Sequence, residues 1–233
     1  MINIKDNITY IEQQIIQACQ KNERLSKDVC LLAVSKTKPN KLIEQAYQAG
    51  QRDFGENYLQ EAIIKIAQLK SLSDICWHFI GPIQSNKTKQ IAENFDWVHS
   101  VARSKIAERL NKQRGEFIKE NITPLPLNVC LQLNISEEES KSGVNPEELF
   151  QLAEFVDRCE FITLRGIMAI PEKNAPETTY LKMQSLFNQL KAQYPSVDTL
   201  SLGMSNDLSK AIAAGSTMVR IGTGIFGARA SNV

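Results

Sequence analysis

Leu127-Asn-Val-Cys-Leu-Gln-Leu-Asn134 is a mostly apolar run near the middle of the chain. Runs of this kind suit strands buried on both faces of a parallel sheet, because neither face then meets water. Seven further short apolar runs lie on either side of it. The eight candidate strands are 30–35, 53–55, 77–81, 97–100, 127–134, 164–169, 199–202 and 218–221.

Helical patterns separate these runs. The first helix is predicted over 3–22, where Ile4, Ile8, Ile11 and Ile15 recur at helical spacing. Further helices are predicted near 40–48, 57–70, 84–93, 103–114, 146–157, 176–193 and 205–214. Alternating strands and helices indicate βαβ units with right-handed crossovers. Eight strands favour an α/β fold closed into a single (β/α)8 TIM barrel over residues 1–233, with an open doubly wound sheet as the other arrangement.

Composition excludes several classes of protein. The formal net charge is +1, so no field of one sign favours nucleic acid or an anionic membrane as a partner. No apolar run approaches the roughly 20 residues of a membrane span, and no secretory signal opens the chain. Five cysteines without a CxxC pair, beside only two histidines, favour reduced thiols and argue against a metal site. We therefore expect a cytoplasmic protein.

Lys36 is the first candidate for chemistry, because it directly follows the apolar run Leu31-Leu-Ala-Val-Ser35. Ligands of α/β barrels bind at the carboxyl ends of the strands. A lysine held there is partly desolvated, which lowers its pKa, and a neutral amine can form an imine with an aldehyde. The alternative is a solvated lysine in a loop.

The segment Met218-Val-Arg-Ile-Gly-Thr-Gly-Ile-Phe-Gly227 predicts a phosphate site after the eighth strand. The glycines at 222 and 224 let a phosphate approach the backbone, and Thr223 adds a hydroxyl donor. Ser205 follows the seventh strand, and either binds the same phosphate or caps the next helix. A tight turn is the alternative for the glycines.

Other polar residues follow or lie within the candidate strands. Arg220 is expected either to face a ligand acceptor or to pair with a barrel carboxylate, because an unpaired buried arginine is costly. Asn57 either caps a helix or touches a ligand ring. His78 is predicted to be a hydrogen-bonded core residue rather than a base. The charged loop 137–143 is predicted to be a solvated segment, with a substrate gate as the alternative.

Six segments together resemble one family, the pyridoxal phosphate homeostasis proteins (the YggS/PROSC family). They span nearly the whole chain in the expected order. The segments are Ala33-Val-Ser-Lys-Thr37, Phe54-Gly-Glu-Asn-Tyr58, Trp77-His-Phe-Ile-Gly-Pro-Ile-Gln-Ser-Asn-Lys87, Leu164-Arg-Gly-Ile-Met168, Leu202-Gly-Met-Ser-Asn-Asp207 and Val219-Arg-Ile-Gly-Thr223. The departures are mild, with Ile83 in place of the expected leucine and Gly224 where alanine is frequent.

The resemblance implies the barrel of the alanine racemase N-terminal domain, the type III fold of pyridoxal 5'-phosphate (PLP) proteins. It also implies that Lys36 forms a Schiff base with PLP and that Arg220 faces the pyridine nitrogen. Ser205, Gly222 and Thr223 look like phosphate ligands. Arginine stays protonated, so the ring nitrogen would accept its hydrogen bond and the ring would be a weaker electron sink.

The resemblance further implies a carrier that holds PLP and delivers it to PLP-dependent apoenzymes. Only 13 residues follow Arg220, so we expect no second domain of the racemase kind, and therefore a monomer with no catalytic residue and no turnover. A single-domain racemase-like enzyme with Lys36 as base is the alternative, and it needs a proton donor such as Tyr58 or His78. A Schiff-base aldolase acting on a sugar phosphate is a third hypothesis.

Overall fold

The apolar runs form eight strands in the computed structural model, which describes residues 3–121, 125–136 and 142–228. The strands are β1 (Cys30–Val34), β2 (Asp53–Glu56), β3 (Cys76–Phe79), β4 (Trp97–Val101), β5 (Leu127–Leu133), β6 (Ile162–Ala169), β7 (Thr199–Ser201) and β8 (Met218–Ile221). Each strand pairs in parallel with the next, and β8 pairs with β1. The sheet is therefore a closed barrel, which confirms the predicted fold over the open sheet.

Helices surround this barrel. They are α1 (Ile4–Lys21), α2 (Asn40–Gln48), α3 (Leu59–Gln68), α4 (Thr88–Asn94), α5 (Ser104–Glu120), α6 (Pro146–Asp157), α7 (Glu177–Gln193), α8 (Leu208–Ala213) and α9 (Thr223–Phe226). The isoleucines predicted to line one face of α1 are buried. Asn7 on α1 donates from Nδ2 to the carbonyl oxygen of Ile225, at 2.8 Å. The first helix thus supports the last one. Within the described residues, no helix combines the length and apolar character that crossing a bilayer requires.

Two of the differences from the predicted helix bounds have a visible structural cause. α5 continues past Gly115 to Glu120, although glycine disfavours a helix interior. A Cβ atom at Gly115 would lie 2.5 Å from the ring of Phe161, so glycine is needed for this close contact. α8 begins at Leu208 rather than near 205, because Asp207 accepts a hydrogen bond from the backbone N–H of Met204 and closes a turn there.

Two glycines have nearly the same φ but different surroundings, so alanine substitutions at them distinguish the cost of backbone strain from the cost of crowding. Gly203 has φ +100° and Gly50 has φ +102°, but only Gly203 is crowded, since its Cβ would lie 2.5 Å from the Cβ of Ala211. Alanine at Gly50 is expected to lower the free energy of unfolding by about 1–2 kcal/mol from backbone strain. Alanine at Gly203 is expected to cost about 2–3 kcal/mol, because overpacking adds to the strain. Urea unfolding of both variants checks this, and equal losses would contradict it.

Candidate functional site

The carboxyl ends of all eight parallel strands lie at one end of the barrel, here called the mouth. Lys36 lies there, half-buried, two residues after the end of β1. Gly222 follows β8 and packs against β1, because a Cβ on this glycine would lie 3.3 Å from the carbonyl oxygen of Val34. The structure therefore places the imine-forming lysine of the sequence prediction beside the predicted phosphate loop.

A buried ionic network lies next to Lys36. Glu56, at the end of β2, is fully buried and accepts from the hydroxyl of Ser35 at 2.7 Å. Lys65 of α3 is also buried, and its Nζ donates to Glu56 Oε1 and to the carbonyl oxygen of Ser35, each at 2.8 Å. Both bonds to Ser35 hold the residue that immediately precedes Lys36. The network therefore fixes the backbone from which Lys36 projects.

The residue after Lys36 is held by the same network. Thr37 has a positive φ of 61°, and its backbone N–H donates to Glu61 Oε1 at 2.7 Å. Glu61 in turn pairs with Lys65 at 2.5 Å. Burial raises the pKa of Glu56, while Lys65 and Ser35 oppose that shift. Lys65 is thus the cation that compensates a buried carboxylate.

The predicted phosphate loop forms the start of α9. The backbone N–H groups of Ile225 and Phe226 donate to the carbonyl oxygen of Gly222, which leaves the N–H groups of Thr223 and Gly224 at the open end of this turn. Thr223 is exposed, and Gly222 is half-buried. Amides at the start of a helical turn attract phosphate oxygens.

Ser205 lies beside this loop. A Cβ atom on Gly224 would lie 3.4 Å from Ser205 Oγ, and the Ser205 side chain is exposed at the mouth. The residue at the N-cap position of α8 is Asp207, so the capping alternative for Ser205 was wrong. The structure therefore brings Ser205 together with the loop that it was predicted to assist.

Arg220 is buried inside the barrel on β8. Its Nη1 donates to the carbonyl oxygen and the hydroxyl of Ser201 at 2.7 and 2.8 Å, and its Nη2 donates to the carbonyl oxygen of Ala169 at 2.8 Å. No carboxylate pairs with it among the described residues, so the ion-pair alternative was wrong. Burial lowers the pKa of Arg220 to about 10, against the opposing charge of Asp207. The guanidinium therefore stays protonated at neutral pH.

Two of the five N–H groups of Arg220 remain for a ligand. Three are used in the bonds to Ser201 and Ala169, which leaves the Nε–H and one Nη2–H among the described contacts. A buried cation with spare donors suits an acceptor atom of a small molecule, such as a ring nitrogen. The two remaining N–H groups therefore fit the pyridine nitrogen that Arg220 was expected to face.

Asn57 contributes an unsatisfied polar atom near the mouth. Its Oδ1 is buried without a hydrogen-bond partner among the described residues, and Tyr58, not Asn57, stands at the N-cap of α3. Its backbone carbonyl packs closely on Gly81, where a Cβ would lie 2.1 Å from that oxygen. Because an amide can present either its oxygen or its nitrogen, Asn57 is suited to a polar ligand.

His78 lies in the barrel core rather than at the mouth. It is fully buried, its Nδ1 lies 3.0 Å from His99 Nε2, and its Nε2 lies 3.1 Å from Asp53 Oδ1. This confirms the prediction of a hydrogen-bonded core histidine. The predicted loop 137–143 falls mostly on residues 137–141, which lie outside the described residues, so both interpretations of it stay predictions.

Sequence reasoning missed a polar cluster at the amino ends of β1 to β3. Asp53, Cys76 and His78 each offer a ligand atom, and these atoms lie within 4.8 Å of one another. The thiols of Cys30 and Cys76 hydrogen-bond Asp53, and burial together with this carboxylate raises the pKa of both thiols. Both thiols therefore stay protonated and donate to the Asp53 carboxylate. Its members are single residues far apart in the sequence, so no local sequence pattern indicated the cluster.

The chain matches the family described as alanine racemase, N-terminal domain, over residues 12–230. The alanine racemase of Clostridium difficile has the same fold, with a TM-score of 0.72 at 13% identity over 99% of this chain and 58% of that one. The chain is therefore a barrel protein of the alanine racemase N-terminal domain family.

Relatives define the family more narrowly. The pyridoxal phosphate homeostasis protein of Haemophilus influenzae is 51% identical over 98% of this chain and 97% of that protein. The protein of the same name from Escherichia coli is 49% identical over 98% of each. PipY of Synechococcus elongatus, solved with PLP bound, is 35% identical with a TM-score of 0.79 over 96% of this chain and all of that one. This chain belongs to the family of the pyridoxal phosphate homeostasis proteins, as its six segments predicted.

Proposed function

We propose that this chain binds PLP as a Schiff base on Lys36 and serves in PLP homeostasis, holding the cofactor and delivering it to apoenzymes. The observation that carries the proposal is the position of Lys36 beside the Gly222–Thr223 loop at the barrel mouth. PLP supplies an aldehyde that condenses with a lysine amine. The binding of PLP by PipY and the names of the relatives support the same function.

Each proposed ligand residue has a part suited to one portion of PLP. Gly222, Thr223 and Ser205 offer backbone and hydroxyl donors for the phosphate. Arg220 offers a buried N–H for the pyridine nitrogen, and Asn57 offers a polar amide for the ring substituents. The Glu56–Lys65 network holds the backbone of Lys36. These roles use donors that the fold leaves available at one end of the barrel.

We also propose that the chain does not turn over amino acids. Racemisation by two groups requires a base on one face of the substrate carbon and an acid on the opposite face. His78 was one candidate for the second group, but both its ring nitrogens are engaged in the barrel core. Tyr58 is half exposed and is the group that an enzyme would have to use. The relatives' names describe homeostasis rather than catalysis.

Two measurements on PLP-loaded protein test the function. Mixing with an apo-aminotransferase is expected to restore its activity, even when a phosphatase destroys PLP free in solution. Incubation with L-alanine in D2O is expected to give no exchange of the α-proton above that with free PLP. Failure of transfer would remove the delivery role. Rapid exchange that Tyr58→Phe abolishes would establish the racemase-like enzyme instead.

A further inference from the structure

A continuous hydrogen-bonded chain runs through the barrel interior to Arg220. It begins at Asp53 on β2 and passes through His78 of β3, His99 of β4 and Ser201 of β7 to Arg220 of β8. The successive distances are 3.1 Å, 3.0 Å, 3.0 Å and 2.8 Å. Because β4 and β7 are not neighbours in the barrel, the contact between His99 and Ser201 crosses its interior. We call these four residues before Arg220 the interior chain.

The two ends of the interior chain determine its direction. Arginine can only donate and an ionised carboxylate can only accept. Burial alone would raise the pKa of Asp53, but the bonds from His78 and the two thiols outweigh burial and lower it, so this end is a carboxylate. His78 must then donate from Nε2, and a neutral His78 ring accepts at Nδ1. His99 consequently donates from Nε2 and accepts at Nδ1 from the Ser201 hydroxyl, which itself accepts from Arg220.

In this arrangement each ring carries a proton on Nε2. His99 is completely buried, and burial, with the nearby His78 and Arg220, holds its pKa well below the usual range. A proton added to His99 would place a second N–H against the Ser201 hydroxyl and a positive charge near Arg220. Burial and these neighbours therefore hold His99 neutral.

We propose that the interior chain positions Arg220 for its ligand, by fixing the rotation of the guanidinium. Ser201 contacts Arg220 through both its carbonyl and its hydroxyl, and the hydroxyl is oriented by His99. Asp53, His78, His99 and Ser201 are thus positioning residues, since only Arg220 would touch the cofactor. This inference rests on the proposed function in one respect, the contact between Arg220 and PLP.

The first test needs no cofactor. The chain has only two histidines, so 15N-detected NMR of the labelled protein resolves each ring. Both rings are expected to carry their proton on Nε2, and His99 is expected not to titrate between about pH 5 and pH 8. A His99 ring that titrates at its ordinary pKa, or either ring with its proton on Nδ1 alone, would overturn the interior chain and leave PLP binding by Lys36 untouched.

The second test compares two buried serines. Ser201→Ala is expected to weaken PLP binding about three- to tenfold, because Arg220 loses one oriented acceptor. Ser216→Ala removes a fully buried hydroxyl whose partners among the described residues are the carbonyl oxygens of Leu200, Leu202 and Met218. This variant is expected to leave PLP affinity unchanged. Equal losses in both variants would show a general effect on stability and overturn the positioning role.

Asp53→Asn tests the far end of the interior chain. Asparagine can still accept from His78 through its oxygen but carries no charge. Asp53→Asn is expected to keep the PLP affinity and the Nε2–H tautomers of the two histidines. Asp53→Leu is expected to lose both the affinity and these tautomers. If Asp53→Leu keeps both, the positioning role fails. If Arg220→Met binds PLP as tightly as the parent while the NMR result holds, the error lies in the proposed role of Arg220 instead.

Discussion

Replacement of Lys36 by alanine is expected to abolish the visible absorbance that PLP gives with this protein, and with it all capture of PLP by borohydride. An imine needs a primary amine. Lys36 lies two residues after β1 and beside the Gly222 loop, whereas the nearby Lys38 donates from Nζ to the carbonyl oxygens of Gly227 and Ala228. Lys36 is half-buried at the mouth and does not belong to the hydrophobic core. The free energy of unfolding is therefore expected to change by less than about 1 kcal/mol.

Lys41→Ala is the matched control for this variant. Lys41 lies on α2 with an exposed side chain, so its loss is expected to change neither the absorbance nor the borohydride capture. Circular dichroism of both variants verifies the fold. Persistence of the imine absorbance in Lys36→Ala would show that another amine reacts, and the assignment to Lys36 would be wrong.

Lys65→Met is expected to lower the free energy of unfolding by about 3–5 kcal/mol at neutral pH, because it leaves the fully buried Glu56 carboxylate without its cation. The methionine fills similar volume, so little of the loss comes from packing. Urea unfolding measures it. The matched control is Lys89→Met, since Lys89 is mostly exposed and only pairs with Glu93 one turn along α4. That variant is expected to cost less than about 0.5 kcal/mol.

The pH dependence of the Lys65→Met loss identifies its cause. Burial raises the folded-state pKa of Glu56 above its unfolded value, and Lys65 opposes this shift. A carboxyl with a raised folded pKa contributes most to stability when protonated, and stability falls as pH rises through the folded pKa. Without Lys65 that pKa rises further, so the difference from the parent protein is expected to shrink as pH falls from about 7.5 to about 5. A loss that does not vary with pH would point to packing instead.

The strands were predictable because each is a short apolar run between helical patterns. All eight predicted strands appear within a few residues of their predicted bounds. A long-range feature was not predictable, namely the bulge where Val129 and Cys130 pair with Leu164 and Gly166. Gly166 has φ +150°, and its Cβ would lie 1.8 Å from the carbonyl oxygen of Thr199. Only the neighbouring strand, 33 residues away in the sequence, explains this glycine.

The mouth residues were predictable for the same reason as the strands. Lys36, Asn57, Ser205 and the Gly222 loop each follow an apolar run, and parallel strands bring such positions to one end. The partners of Glu56 and Arg220 were not predictable. Glu56 pairs with a lysine on the outer helix α3. Arg220 bonds to Ser201, whose hydroxyl also contacts His99 from the opposite side of the barrel. Such pairings depend on the direction of each side chain within a closed sheet, and the local sequence pattern does not predict that direction.

The site of the Schiff base is tested most directly by chemical trapping. The protein is loaded with PLP, reduced with borohydride, digested and analysed by mass spectrometry. The account predicts one phosphopyridoxyl adduct, on the peptide that contains Lys36. An adduct on Lys38 or Lys65 instead, or a protein that takes up no PLP under these conditions, would contradict it.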